Sequence, residues 1–252
     1  MGKKLSNPRF TDDIVLLANS ANEIKQAIEE LDQLSKETGL HMNPTKTKLM
    51  TNSRETNITI NGNHLEYVHE YTYLGQILSF NNSNKKEVSR RIAAAWSKFW
   101  SLKFILTDKS YTTQLKREVM DKCILPVLLY GSQTWSLTRK ERESIMICQR
   151  KMERKILNIK LSDKIPNKEI RRRTGIKDAD TAGKELKWKW AGHVVRRNFD
   201  RWTHRVTAWD PRIGKRRRGR QTTRWSDDLR KTFGQQWTTV AKDREKWTKL
   251  VK

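Results

Sequence analysis

Phe10-Thr11-Asp12-Asp13 sets an aromatic, a small residue and two adjacent carboxylates directly before the apolar segment Ile14-Val15-Leu16-Leu17-Ala18. Hard divalent cations take oxygen ligands, and a carboxylate pair at a turn between strands can help clamp both oxygens of an in-line phosphoryl displacement. Asp12 and Asp13 are therefore the first candidates for metal-dependent chemistry. The string alone is weak, because most such pairs are solvated turn residues. A second pair, Asp227-Asp228, opens a helix, where negative charge is favourable by about 0.3–1 kcal/mol. That ordinary reason suffices, so it is not read as a second active site. His193 has no second ligand nearby and reads as a packed or capping histidine.

Charge divides the chain of 252 residues. Residues 1–80 hold eight Lys/Arg and ten Asp/Glu, a net of −2, whereas residues 81–252 hold 45 basic and 18 acidic side chains, a net of +27. All ten Trp lie in the second part, beginning at Trp96. A near-neutral front followed by a basic, Trp-rich remainder suggests a piece that bears chemistry joined to pieces that grip nucleic acid. Cys123 and Cys148 form neither a CxxC nor a Cys/His cluster, which argues against a disulfide framework or a zinc knuckle. No apolar run approaches a membrane span, and the Met1-Gly2-Lys3-Lys4 start has no apolar signal core. The expectation is an intracellular protein, nuclear or cytoplasmic, neither secreted nor membrane-bound.

The elements that must position these residues are legible in part. Ser20 and Glu23 fit a capping box, Ile24, Ile28, Leu31 and Leu34 recur at helical spacing, and Gly39 is a natural stop, so a helix is predicted over about 21–38. Asn43-Pro44-Thr45 reads as a turn into a short strand at 48–51. Asn61-Gly62 reads as a type I′ hairpin, and Tyr71–Leu78 as a last strand. From about 83 the pattern is helical: one helix through Val88, Ile92, Trp96, Phe99 and Leu106; one through Leu115, Val119 and Cys123, ending near Pro126; and one through Ile145, Cys148, Met152 and Ile156. Further helices are predicted at 167–173, about 177–196, after Ser226 as a cap, and from Trp237 to Leu250. Trp96, Trp100 and Trp190 fall on expected buried stripes, and Trp225, Trp237 and Trp247 read as packing anchors. Trp202 and Trp209 are the better candidates for base stacking.

Residues 212–224 carry seven basic residues in thirteen and no acid. Arg212, Lys215, Arg216, Arg217, Arg218, Arg220 and Arg224 are the candidate nucleic-acid-binding residues, on a loop or arm. Each phosphate neutralised adds salt-dependent, sequence-independent affinity. An import signal and a solvated basic loop stay open for the same stretch.

In this order, several modest strings resemble the C-terminal half of reverse transcriptases from non-LTR retrotransposons, particularly the RTE clade that includes the BovB elements. They are Phe10–Ala18; Gly39-Leu40-His41-Met42-Asn43 with Lys46-Thr47-Lys48; Tyr71-Thr72-Tyr73-Leu74-Gly75; Leu125–Gly131 with Trp135; Lys187–Val194; and Gly219-Arg220 with Arg224–Asp228. The resemblance implies an α+β fold: a partial polymerase palm over 1–80 (a small antiparallel sheet plus a helix), a helical thumb-like domain over 81–160 and a basic, Trp-rich C-terminal domain over 161–252. It implies that Asp12 and Asp13 are palm carboxylates for Mg²⁺. It places Lys46 near the triphosphate as proton donor or charge stabiliser, with Lys48 as the alternative, and it makes Tyr73, Leu74 and Gly75 primer-grip-like. An RNA template, a DNA primer or target and nucleotides would be the partners.

Two departures bear on activity. Such a palm takes another Asp from an earlier strand, yet no acidic residue precedes Asp12. The strand leading into Phe10 should be apolar, yet Leu5-Ser6-Asn7-Pro8-Arg9 is polar and contains Pro, which lacks a ladder donor. The expectation is a truncated reverse transcriptase with an incomplete nucleotidyl-transfer site that does not polymerise alone. The alternative is a non-catalytic, basic RNA- or DNA-binding remnant.

Overall fold

The structure is a computed structural model that describes residues 5–80, 83–198, 200–208, 219 and 223–251. The chain forms two compact units, Met1–Ser83 and Asn84–Lys252. Small paired strands lie in the first and helices dominate the second, an α+β composition.

The first unit begins with β1 (Arg9–Phe10) and β2 (Asp13–Ile14), antiparallel with Phe10 opposite Asp13. The pairing runs on past both strands, because Val15 N–H donates to the Pro8 carbonyl (2.9 Å) and Leu17 N–H to the Ser6 carbonyl (2.7 Å). Pro8 is thus accommodated: it serves as acceptor, and only its own missing donor is forfeited. α1 (Ala21–Glu37) follows the sequence signals closely. The Ser20 side chain accepts from Glu23 N–H, and Gly39 (φ +75°) closes the end with its N–H on the Lys36 carbonyl and Leu40 N–H on that of Ser35. That bond pair is a Schellman ending, which needs the left-handed residue that Gly supplies.

β3 (Lys48–Leu49), β4 (Thr59–Ile60), β5 (Asn63–His64), β6 (Glu66–Tyr67), β7 (Glu70–Tyr73) and β8 (Gln76–Ser79) complete this unit. The expected single antiparallel sheet is replaced, among the described residues, by four two-stranded ribbons, of which β3–β6 is parallel and β1–β2, β4–β5 and β7–β8 are antiparallel. The Asn61-Gly62 hairpin has the predicted form, with φ +49° and +78° at the two turn residues. Its strands and α1 enclose a small core of Ile28, Leu49, Ile58, Ile60 and Leu65, against which Leu16 and Ile24 pack.

In the second unit, α2 (Ser83–Ser101) breaks at Leu102 before α3 (Lys103–Leu106), dividing the single helix expected there. α4 (Thr113–Val119) leads into a π-helical turn, Met120–Ile124, and then α5 (Leu125–Leu128). The helix runs two residues past Pro126 before it ends at Leu128. The wider turn, in which Leu125 N–H reaches the Met120 carbonyl, relieves the register that a proline ring would obstruct in a regular α-helix.

α6 (Arg139–Ile156), α7 (Asn167–Thr174) and α8 (Ala179–Val195) form the middle of the unit. α9 (Trp202–Ala208), α10 (Asp227–Phe233), α11 (Trp237–Lys242) and α12 (Arg244–Val251) follow. One core gathers Phe99, Leu106, Met120, Ile124, Leu128 and Met152 with their neighbours. Another packs Trp237 and Trp247 with Ala191, Val195 and Leu229, and Trp188 and Trp225 lean on it. Ser226 makes no side-chain cap; the Asp227 carboxylate accepts from Arg224 N–H at 2.8 Å instead. No described helix is long and apolar enough to cross a membrane.

Candidate functional site

Asp12 and Asp13 sit at the tip of the β1–β2 hairpin, both exposed. Thr11 holds φ +54°, a left-handed conformation that is uncommon for a β-branched residue. The two-residue turn thereby presents consecutive carboxylates to solvent, while Leu16 anchors the base of the hairpin in the small core. The donors suit Mg²⁺, which keeps several waters and takes only one or two carboxylates besides substrate phosphates. Among the described residues, no group of three or more His, Cys, Asp or Glu side chains could hold a metal.

Lys46 lies on a turn organised by Asn43. The Asn43 Oδ1 accepts from the Thr45 and Lys46 backbone N–H groups at 3.0 and 3.2 Å, and the Asn43 carbonyl from Thr47 N–H at 3.0 Å. The ammonium of Lys46 is exposed, and among the described residues no carboxylate pairs with it. The two candidate lysines differ here, because Lys48 is engaged by Glu66 at 2.5 Å across the parallel β3–β6 ribbon. Tyr71 on β7 donates its hydroxyl to the Lys46 carbonyl at 3.4 Å, so the Lys46 turn and the β7–β8 hairpin are tied together.

That hairpin turns at Leu74 and Gly75, with φ +48° and +72°. Tyr73 is half-buried and pairs with Gln76 across the turn, whereas Leu74 is 39% exposed. A bulky residue in this region is a genuine outlier, costing about 1–2 kcal/mol relative to glycine.

Of the basic residues at 212–224, only Arg224 is described; Arg212, Lys215, Arg216, Arg217, Arg218 and Arg220 lie outside the described residues, as does Trp209. Arg224 is half-buried beside α10. Trp96 leans on the core as expected, but Trp100 is 47% and Trp190 36% exposed. Trp190 stacks instead on exposed His193, at 5.6 Å between ring centroids, and His193 Nε2 accepts from Arg197 at 3.1 Å. Trp202 is half-buried and has the Arg205 guanidinium 5.6 Å above its ring.

Two polar clusters in the second unit escaped the sequence reading. Gln149, fully buried on α6, donates to the Lys177 carbonyl (2.7 Å) and accepts from Ala179 N–H (2.8 Å), fixing the start of α8. Beside it, Arg150 bridges buried Glu153 (2.5 Å) and Asp178 (2.7 Å). Burial pushes Asp178 up, but the Thr181 N–H, Arg171 and Arg150 together outweigh it and leave the carboxyl below its ordinary range; burial holds Glu153 above. The other cluster joins Lys187, Asp228 and Arg142. The available signal was a Gln inside an apolar stripe, Ile145–Cys148–Met152, and a Lys among the Trp residues of α8.

Residues 4–78 match the reverse transcriptase (RNA-dependent DNA polymerase) family. Over its whole length the chain is 34% identical to an uncharacterized transposon-derived protein of Caenorhabditis elegans, covering 96% of that protein. No solved structure matches. The chain belongs to this family of transposon-derived proteins, with a reverse transcriptase segment that contains the Asp12–Asp13 hairpin, the Lys46 turn and the Leu74–Gly75 hairpin.

Proposed function

We propose that the chain is a template- and primer-binding part of the RNA-directed DNA polymerase of a non-LTR retrotransposon of the RTE/BovB-like clade. Residues 1–80 act as partial palm, 81–160 as thumb and 161–252 as a basic C-terminal domain. The observation that carries this reading is the exposed carboxylate pair at a tight hairpin tip inside the segment similar to reverse transcriptases. Asp12 and Asp13 would hold Mg²⁺, which when bound neutralises charge developing on the transferred phosphoryl group. Lys46, exposed and without a carboxylate partner among the described residues, offers its ammonium to a departing pyrophosphate. Tyr73, Leu74 and Gly75 support a primer end, the strained tip supplying an apolar contact. Arg212, Lys215, Arg216, Arg217, Arg218, Arg220 and Arg224 bind the backbones of RNA template and DNA primer or target, in the nucleus or the cytoplasm.

A second reading, a non-catalytic RNA- or DNA-binding protein, draws on the absence of a third carboxylate beside Asp12 and Asp13 among the described residues. Primed RNA, Mg²⁺ and nucleotides separate the two. Extension abolished by Asp12→Asn supports polymerisation, and salt-dependent binding without extension supports the binding module. Neither binding nor extension defeats both.

A further inference from the structure

We infer that the exposed flank of α6 is a docking groove for an acidic amphipathic helix of a partner protein. This surface lies within the segments read above as thumb and C-terminal domain, and it includes none of the metal-binding, leaving-group, primer-grip or basic-arm residues named there. The groove encloses about 940 Å³ between α6, the segment after it and the start of α7. Its apolar floor is aliphatic: Met146 and Ile147 on α6, then Ile159 and Leu161 beyond it. Ile147 is 54% exposed, although the opposite face of α6 carries the fully packed Met152, and Leu161 beyond the helix is 79% exposed.

The rim decides the occupant. Lys151, Arg154, Lys155 and Lys160 all line the groove, and among the described residues none of their side chains forms an ion pair, although the Lys160 backbone N–H donates to the Asp163 carboxylate at 2.8 Å. Arg154 spends its guanidinium on neutral acceptors, the Asn167 side chain and the Ile165 carbonyl. Buried Arg150 and exposed Arg171, which also line it, are already paired with Glu153 and Asp178. Against these four uncompensated cations, Glu143 is the one acidic residue lining the groove.

A ligand that fits must bring carboxylates or phosphates for the rim and apolar groups for the floor. Single-stranded nucleic acid has the charge, but its bases gain affinity from successive flat aromatic faces, and this groove is lined by four aliphatic side chains and a single aromatic one, the half-buried Trp96. An amphipathic helix lays aliphatic anchors at i, i+3, i+4 and i+7 into such a trough and turns its acidic flanks to the lysines. The spacing of Ile147, Lys151 and Lys155, successive fourth residues along α6, matches a helix lying alongside.

The test uses the full chain with ¹³C-labelled Ile, Leu and Met methyl groups. The probes are a roughly 18-residue helical peptide with Leu anchors and Glu flanks, its counterpart with Lys for Glu, and an oligothymidylate of roughly 20 nucleotides. The acidic peptide is expected to shift the methyls of Met146, Ile147, Ile159 and Leu161, and the basic counterpart to leave them unmoved. Ile147→Asp with Leu161→Asp, both exposed positions, should weaken peptide affinity at least roughly tenfold, about 1.4 kcal/mol. The same variant should change oligonucleotide affinity less than about twofold, with the buried Ile170 methyl unshifted as the check on folding. No shift up to about 1 mM acidic peptide, equal binding of the two peptides, or methyl shifts produced by the oligonucleotide alone would each overturn the proposal.

Discussion

Lys187 Nζ stands 2.9 Å from the carboxylate of Asp228 and 3.0 Å from the Trp135 carbonyl, although Lys187 is only 4% exposed. Arg142 reaches the same carboxylate at 3.2 Å. One acidic residue at the start of α10 therefore neutralises cations from α8 and α6. Asp228 read from sequence as an ordinary helix-start charge; the packing gives it a second duty. Burial lowers the Lys187 pKa, and Asp228 opposes that shift. Asp228→Asn, which leaves a buried ammonium unpaired, is expected to destabilise the second unit by roughly 3 kcal/mol, whereas Lys187→Met with Asp228→Leu recovers much of the loss. Chemical denaturation of the three proteins checks this, and equal loss in the single and double variants would count against it.

Gly192 on α8 leaves room for Trp247. A Cβ built there would lie 2.5 Å from the indole ring, whose Nε1 donates to the Trp188 carbonyl at 2.9 Å. Gly192→Ala is expected to cost about 1–3 kcal/mol through overpacking, despite alanine's better helix propensity. Denaturation midpoints compared with those of Gly183→Ala, where the nearest atom is 3.6 Å away, isolate the steric effect.

Leu74→Gly should act oppositely on stability and on binding. Relief of the left-handed strain at φ +48° raises the stability of the first unit by about 1 kcal/mol. Loss of the exposed side chain lowers affinity for primed template. A variant that binds at full strength would remove Leu74 from the proposed primer contact.

Cys148 is buried, and burial pushes its thiol from 9.0 up to about 11. The folded state thus favours the neutral thiol. The associated stability is fully present below the ordinary value of 9.0 and is lost as pH rises through about 11. Iodoacetamide at mildly alkaline pH is expected to modify Cys148 only after unfolding, with half-buried Cys123 labelled first, as read by peptide mass spectrometry.

What the sequence disclosed was mostly local. Ser20, Glu23 and Gly39 bracket α1 because caps act within a turn, and Asn61-Gly62 dictates its hairpin because both residues tolerate positive φ. Pro126 located the end of its helix to within two residues, at Leu128, whereas the π turn that absorbs its cost is a change of helical register that no composition signal announces. Trp190 was misplaced because the apolar residues of α8 are spread around its circumference, which leaves no single stripe to read. The strands failed to merge into one sheet for a non-local reason, since their pairing depends on partners distant in sequence. At the candidate site, residue types and turn were legible in Phe10–Asp13, whereas the pairing of Lys48 with Glu66, which leaves Lys46 as the one of the two lysines without a carboxylate partner among the described residues, required the fold.

Coordination of a divalent ion by Asp12 and Asp13 is open to backbone NMR of the labelled chain under Mg²⁺ titration with primed template present. Shifts centred on Phe10–Ile14 that saturate in wild type and vanish in Asp12→Asn with Asp13→Asn are the predicted result. Amides of that hairpin that stay still in wild type, or that move equally in the variant, would contradict it.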